Sequence, residues 1–406
     1  MGIFYCLHMS ILSKKVELLG ESETLAMARL SRELKEKGLD VINMSLGEPD
    51  FDTPEFIKEA AIEAIRQNYS HYTPVAGYKD LLEAVCHKLK RDNQLTYSPA
   101  NIVVSTGAKQ SIANAVFALV SEGDEVILPV PYWVSYKEMV NYAGGTPVML
   151  EAGIEKNFKP SAEDLEKCIN AKTKLIIFSS PCNPTGSVWT DAELQSWAEV
   201  IERNPHVYII SDEIYELINF GIHSRSLASF GTIKDRVITV NGLSKGFAMT
   251  GWRLGYLAAH ETIASACTKI QGQYTSATCS ITQRAAVAAL LANPENATGY
   301  MRDAFKKRRD LALHLMKDIP GMITNLPDGA FYIFPEVSAY FGKTGHGKSI
   351  ENSKDLCMYL IHEAHVAITP GGAFGMDNHI RISYAAAEQD IEKAITRIKY
   401  ALAKLV

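Results

Sequence analysis

A chain of 406 residues exceeds one ordinary hydrophobic core, which predicts a large domain with a smaller companion. With 47% hydrophobic residues, 21% charged residues and a formal net charge of -5, it reads as an ordinary globular protein and not as a nucleic-acid binder, whose phosphate partner demands a basic face. Seven dispersed cysteines with no Cys-x-x-Cys pair argue for reduced thiols in a cytoplasm and against a structural zinc or other metal centre.

Residues 1–9 are apolar but short, without a basic leader or a small-residue cleavage site, so no signal peptide is expected; Met9 is an alternative start to Met1. Cys6 stands where an acylation signal needs Ser or Thr, which disfavours myristoylation at Gly2. No stretch has the apolar length that spanning a bilayer requires, so no membrane partner is expected.

From Ser22 to Lys37 the spacing Leu25, Ala28, Leu30, Leu34 predicts an amphipathic helix stopped by Gly38. Residues 41–46 read as a short strand, followed by the turn Gly47-Glu-Pro-Asp-Phe51. Thr53 is the expected N-cap and Pro54 the first residue of a helix whose apolar face is Ile57, Ala61, Ile62 and Ile65. A loop bearing His71 and Tyr72 leads to a further helix over 78–91.

Strands are then predicted at 102–105, 125–129, 146–150, 175–179, 207–211, 237–240 and 254–258, with helical stretches between most of them. This alternation predicts an α/β fold, a mostly parallel sheet covered by helices on both faces, with ligands gathering at the carboxyl ends of the strands. After Thr278 come helices over 281–292 and 296–317, strands near 331–335, 367–369 and 380–384, and a last helix with Ile391, Ile395, Ile398 and Leu402 on one face. The expected organisation is a large domain over 53–293 and a smaller α+β domain over 294–406 joined by the N-terminal segment 1–52.

Six features fall at predicted strand exits or turns. Ser105-Thr-Gly107-Ala108-Lys109 passes from strand to helix, where free N–H groups can hold a phosphate. Trp133 offers an aromatic face. In Ser180-Pro-Cys-Asn183-Pro-Thr-Gly186 the Asn183 amide can donate to a ligand oxygen, while Cys182 reads as a small core-like residue. Asp212 follows an apolar strand and is followed by Tyr215; a carboxylate there needs a partner such as a protonated ring nitrogen. The glycine-rich run from Gly242 to Gly255 carries Lys245, placed where desolvation makes an amine nucleophilic, and Arg253. Arg381 sits inside a strand, where a bidentate carboxylate is the usual reason. One ligand uses them all: an anionic group, a flat ring with a basic nitrogen and an oxygen, and an aldehyde, the chemistry of pyridoxal 5'-phosphate.

With the Lys245 run, Gly47-Glu-Pro, Asn183-Pro-Thr-Gly and Ser211-Asp-Glu-Ile-Tyr in this order, the chain beyond about Ser13 resembles the fold-type I aminotransferases of class I, and within them the bacterial aspartate/prephenate subgroup. The resemblance implies that Lys245 attaches the cofactor and then serves as general base and acid, that Asp212 keeps the ring nitrogen protonated, and that Asn183 and Tyr215 hydrogen-bond the phenolic oxygen. It implies that Trp133 stacks on the ring, that Gly107, Ala108 and Arg253 bind phosphate, and that Tyr72 reaches the phosphate of the neighbouring subunit of a homodimer. Arg381 takes the substrate α-carboxylate, with the Gly47 backbone beside it. Many relatives carry a phosphate-binding serine where this chain has Gly242, and Ser244 is the nearby hydroxyl to replace it. Lys109 and Thr24 match positions that meet a distal carboxylate, which favours aspartate with 2-oxoglutarate in a ping-pong transamination, and prephenate as a further acceptor. An aromatic or broad-specificity aminotransferase is the alternative, and a non-catalytic binding protein on the same domain is another.

Gly342-Lys-Thr-Gly-His-Gly347-Lys348-Ser349 has the spacing of a nucleotide-binding phosphate loop, but it does not join a buried strand to a helix in a first βαβ unit; a flexible loop is expected.

Overall fold

Short runs rich in β-branched residues build the sheet at the centre of the computed structural model, which describes residues 11–222 and 225–406. The readings made on Met1, Gly2, Cys6 and Met9 lie outside the described residues. After a two-residue strand β1 (Ile42–Asn43) come β2 (Ile102–Ser105), β3 (Glu125–Val130), β4 (Thr146–Glu151), β5 (Thr173–Ser179), β6 (Tyr208–Asp212), β7 (Val237–Gly242) and β8 (Gly255–Ala258). Across the sheet the order is β2-β8-β7-β6-β5-β3-β4. Only β8 runs against its neighbours; the other pairings are parallel.

Side chains of a strand alternate between faces, and here the alternation divides each strand between two cores. Ile176, Phe178, Ile209 and Val237 join one cluster with helices Glu55–Arg66, Lys79–Asn93, Asp191–Arg203 and Ser280–Leu291. Leu175, Ile177, Ile210 and Ile238 join the other with helices Ala108–Leu119, Ser135–Ala143 and Glu261–Tyr274. Burial on both sides is why these strands read as unbroken apolar runs.

A third core gathers Met27, Leu34 and Met44 from the N-terminal segment with Phe305, Phe331, Ile382 and Ile395 from the C-terminal part. Its strands are β9 (Tyr332–Ile333), β10 (Thr344–Gly345), β11 (Lys348–Ser349), β12 (Val366–Ala367), β13 (Thr369–Pro370) and β14 (Ile380–Ser383). β1 pairs in parallel with β12, and β13-β14-β9 form an antiparallel sheet. The basic run at 306–309 lies on the long helix Pro294–Met316, where Lys307, Arg308 and Arg309 meet Glu388, Asp50 and Asp310.

Several local expectations are corrected. Helix Glu23–Glu36 buries Met27, Ala28, Ser31 and Leu34, leaving Leu25 exposed; the same 3-4 spacing fits two faces one residue apart. Helix Glu55–Arg66 buries Ile57, Ala61 and Ala64, with Ile62 and Ile65 exposed. Thr53 does not cap it: the N-cap is Pro54, and the Thr53 hydroxyl donates instead to the Ala248 carbonyl, 2.8 Å away. The expected strand at 367–369 is divided between β12 and β13, and the loop expected at 342–349 is an antiparallel hairpin turned by His346 and Gly347, both at positive φ. No helix N-terminus follows it directly, since the next helix begins at Ser353 with Asn352 as its cap. Among the described residues no helix is long and apolar enough to cross a membrane, and no group of three or more His, Cys, Asp or Glu could hold a metal ion.

Candidate active site

At the carboxyl ends of β2, β5, β6 and β7 lies a cavity of about 400 Å³. Thr24, Gly47, Ala108, Lys109, Trp133, Asn183, Asp212, Tyr215, Ser244, Lys245, Arg253 and Arg381, drawn from every part of the chain, all line it. Gly107 stands just behind Ala108, while Tyr72 is fully exposed and outside the lining.

One end of the cavity is built for an anion. β2 ends at Ser105, and Gly107, with φ of 86°, turns the chain into helix Ala108–Leu119, whose first N–H groups have no intrahelical acceptor. A side chain at Gly107 would stand 2.5 Å from Arg253 Nη2, so only glycine lets the guanidinium approach the helix start. Arg253 itself occupies the left-handed region, φ 55°, and is aimed by donating from Nη1 to the Thr250 carbonyl at 2.7 Å. Ser244 is buried on the same loop.

Deeper in, Asp212 closes β6 and is buried. Burial pushes its carboxyl up to about 6, opposed by the Tyr136 hydroxyl donating at 2.6 Å and by the Ile214 N–H at 3.2 Å. Such an acid favours a cationic ring nitrogen as partner. Tyr215 shares a hydrogen bond of 2.7 Å with Tyr332 through their hydroxyls, and burial pushes the Tyr215 phenol well above its ordinary range. Lys109 Nζ lies 5.1 Å from the Trp133 ring centroid; burial, and after it the charge of Arg253, lowers its pKa.

Lys245 donates from Nζ to the Gly47 carbonyl at 2.5 Å. Burial lowers its amine to about 8, against the pull of the Glu48 carboxylate, which is itself engaged by the Thr250 hydroxyl. The ammonium still dominates at pH 7, but the free-amine fraction is far larger than for an ordinary lysine, which favours attack on a carbonyl. Across the cavity Arg381, on β14, is 2% exposed. Its Nη1 donates to Asn183 Oδ1 at 2.9 Å and its Nη2 to the Ser45 carbonyl at 2.5 Å and Thr369 Oγ1 at 3.3 Å, and its Nε has no partner. All these acceptors are neutral, so the buried guanidinium is left to bind a carboxylate from outside the chain.

The sequence had not singled out Tyr136 or Tyr332. Tyr136 lies in the first turn of the helix that Trp133 precedes, and the two rings meet edge to face with centroids 5.5 Å apart. Tyr332 carried no local signal; its place is set by β9 pairing beside the strand of Arg381.

The chain matches the family model "Aminotransferase class I and II" over residues 39–398. It is 47% identical over 403 residues to the probable aspartate/prephenate aminotransferase of Rickettsia bellii, covering 98% of this chain and 100% of that one. It is also 47% identical to the bifunctional aspartate aminotransferase and glutamate/aspartate-prephenate aminotransferase of Petunia hybrida, covering 96% of this chain and 82% of the relative. Among solved structures, the aspartate aminotransferase of Rhizobium meliloti superposes with a TM-score of 0.93 at 38% identity, covering 97% of this chain and 99% of that one. That of Thermus thermophilus with maleate superposes with a TM-score of 0.90 at 35% identity, covering 97% and 100%.

Proposed function

We propose, since the chain belongs to the class I and II aminotransferase family, that it transfers the amino group of L-aspartate to 2-oxoglutarate by a ping-pong mechanism using pyridoxal 5'-phosphate, with prephenate as a further acceptor. The observation that carries the substrate choice is that Arg381 and Lys109 line one cavity, since a dicarboxylate needs a cation for each end. Maleate, in the Thermus thermophilus relative, is also a dicarboxylate.

The cavity fits the cofactor on this chain's own features: the guanidinium at a helix start for phosphate, the buried acid for a ring nitrogen, and the lowered amine for an aldehyde. When bound, pyridoxal phosphate supplies a carbonyl that links to amines and a cationic ring that takes up the electron pair released at the donor Cα. The residues do the rest. Gly107, Ala108, Ser244 and Arg253 hold the phosphate. Asp212 keeps the ring nitrogen protonated, aimed by Tyr136. Asn183 and Tyr215 hold the phenolic oxygen, Tyr332 fixing the second, and Trp133 covers the ring face. Arg381 binds the donor α-carboxylate beside Gly47, and Lys109 with Thr24 meets the distal one. Held this way, the donor presents its Cα proton to Lys245 Nζ, which removes it and later returns a proton to the product side.

Tyr72 completes the reading. Fully exposed and outside its own chain's cavity, it is free to reach the phosphate of a second copy, and a homodimer is part of the proposal. A cytoplasmic location, a large domain over 53–293 and a smaller one joining 1–52 to 294–406 belong to the same reading. The test is a set of single half-reactions with aspartate, glutamate and phenylalanine, followed by the visible absorbance of the cofactor. Lys109→Met is expected to raise the aspartate KM by about 30-fold and leave that for phenylalanine within about threefold. Reaction with phenylalanine alone would instead establish the aromatic alternative.

A further inference from the structure

Outside the lining of the catalytic cavity, a second lysine is taken out of water. Lys88 belongs to helix Lys79–Asn93 and is 5% exposed. Its Nζ reaches Glu216 Oε2, and it donates to Asn93 Oδ1 at 2.7 Å. The same carboxylate accepts Asn93 Nδ2 on Oε1 at 2.5 Å and Asn241 Nδ2 on Oε2 at 2.6 Å. Asn241 Oδ1 in turn accepts the Gly242 N–H at 2.7 Å. None of Lys88, Glu216 and Asn241 lines the catalytic cavity, so whatever they do for the reaction is done through their neighbours.

Those neighbours are the two strand exits that carry the chemistry. Glu216 follows Tyr215, and Asn241 and Gly242 lead into Lys245. The exits abut: a side chain at Gly246 would stand 2.7 Å from Leu217 Cδ1 and 2.8 Å from its Cβ. Gly242 cannot hold the turn with a side chain of its own, since a Cβ there would lie 2.9 Å from the Leu254 carbonyl oxygen and from Gly255 Cα. Its N–H is held by Asn241 instead. A buried ion pair seldom gains stability over apolar residues of the same volume, whereas directional bonds from two elements, helix Lys79–Asn93 and β7, to one carboxylate specify their geometry.

We propose that Lys88, Glu216 and Asn241 form a positioning network that fixes the exit carrying Lys245 relative to the exit carrying Tyr215. The inference rests on the aminotransferase reading for what the exits do; its geometry stands without it.

Two variants test it in the full-length protein. Lys88→Met/Glu216→Leu removes both charges while keeping volume, and Asn241→Ala leaves the ion pair but cuts its link to Gly242. The first readout is the pKa of the Lys245 amine in the cofactor-free protein, from competitive acetylation read by mass spectrometry; the charged groups acting on it, Glu48, Arg381, Arg253 and Asp212, are untouched by either variant. The second is kcat and donor KM of the enzyme loaded with pyridoxal phosphate. Both variants are expected to move the Lys245 pKa by about half a unit or more. They are also expected to lower kcat by about tenfold with donor KM within about twofold. A folded variant of either kind with the parent's Lys245 pKa and kcat overturns the network, and if the double variant does not fold, Asn241→Ala decides. A parent protein without transaminase activity refutes the aminotransferase reading instead, and the acetylation measurement then decides the network.

Discussion

Lys88 and Lys245 meet the same penalty and answer it differently. Burial works against the charge of each. At Lys88 burial is the largest single influence, but the charge and hydrogen bond of Glu216, together with Tyr256 and Asp92, outweigh it, and the ammonium is held above the usual lysine range. At Lys245 the hydrogen-bond acceptor is the Gly47 carbonyl, and the amine falls to about 8. What separates the lysine held charged from the one whose amine is lowered is therefore chiefly the charge of the hydrogen-bond partner.

The comparison is broken most severely by deleting each amine. Lys245→Ala is expected to cost at least about 10⁴-fold in kcat, because on the proposed mechanism proton transfer at Cα would lose its base. Lys88→Met should keep its loss within about 100-fold, the scale of a misplaced group and not a missing one. Steady-state rates of oxaloacetate formation from aspartate decide this, and equal losses in the two variants would erase the distinction.

Stability should reverse that ranking. Lys88→Met leaves the partly buried Glu216 carboxylate without its cation and is expected to destabilise the fold by about 2 kcal/mol in urea titration, most of it regained in Lys88→Met/Glu216→Leu. A single variant as stable as the parent would mean that the pair does not form.

The smallest effect is the sharpest, since the two lysines carry opposite signs in pH. Lys88, raised on folding, contributes stability that is complete below the unfolded lysine value of about 10.4 and is lost as pH rises through its folded value. Lys245 is lowered, so between pH 8 and about 10.4 the unfolded chain binds the extra proton and stability rises with pH. Cofactor-free Lys245→Met is thus expected to exceed the parent at pH 7 by on the order of 1 kcal/mol, after allowance for partial exposure, and to lose the advantage by about pH 10. A constant difference across that window would show that Lys245 is not shifted.

How far the sequence carried these conclusions depended on whether a signal was local. β5 and β6 are unbroken apolar runs because both faces are covered, so their exits, and with them Asp212 and the stretch around Asn183, could be located from the chain alone. Lys245 was conspicuous for its glycine-rich surroundings. Lys88 was not: within Lys79–Asn93 it sits near Lys90 and Arg91 and reads as one more solvated cation, and only the fold brings Glu216, 128 positions away, to meet it. Tyr136 and Tyr332 escaped for the same reason, their partners lying 76 and 117 positions off. Helix phase was lost where polar Ser31 faces inward and Leu25 outward, an inversion no hydrophobic spacing encodes.

The loop bearing Lys245 and Arg253 closes on itself. Gly242 pairs with Gly255 across the antiparallel β7 and β8, and the Leu243 N–H donates to the Leu254 carbonyl at 3.3 Å. The amine and the guanidinium are thus mounted on one frame, pinned at a neck too narrow for a Cβ. On the proposed reading such a frame would act as a length gauge, matching the span between the amine and the guanidinium to that between the carbonyl and the anion of one ligand.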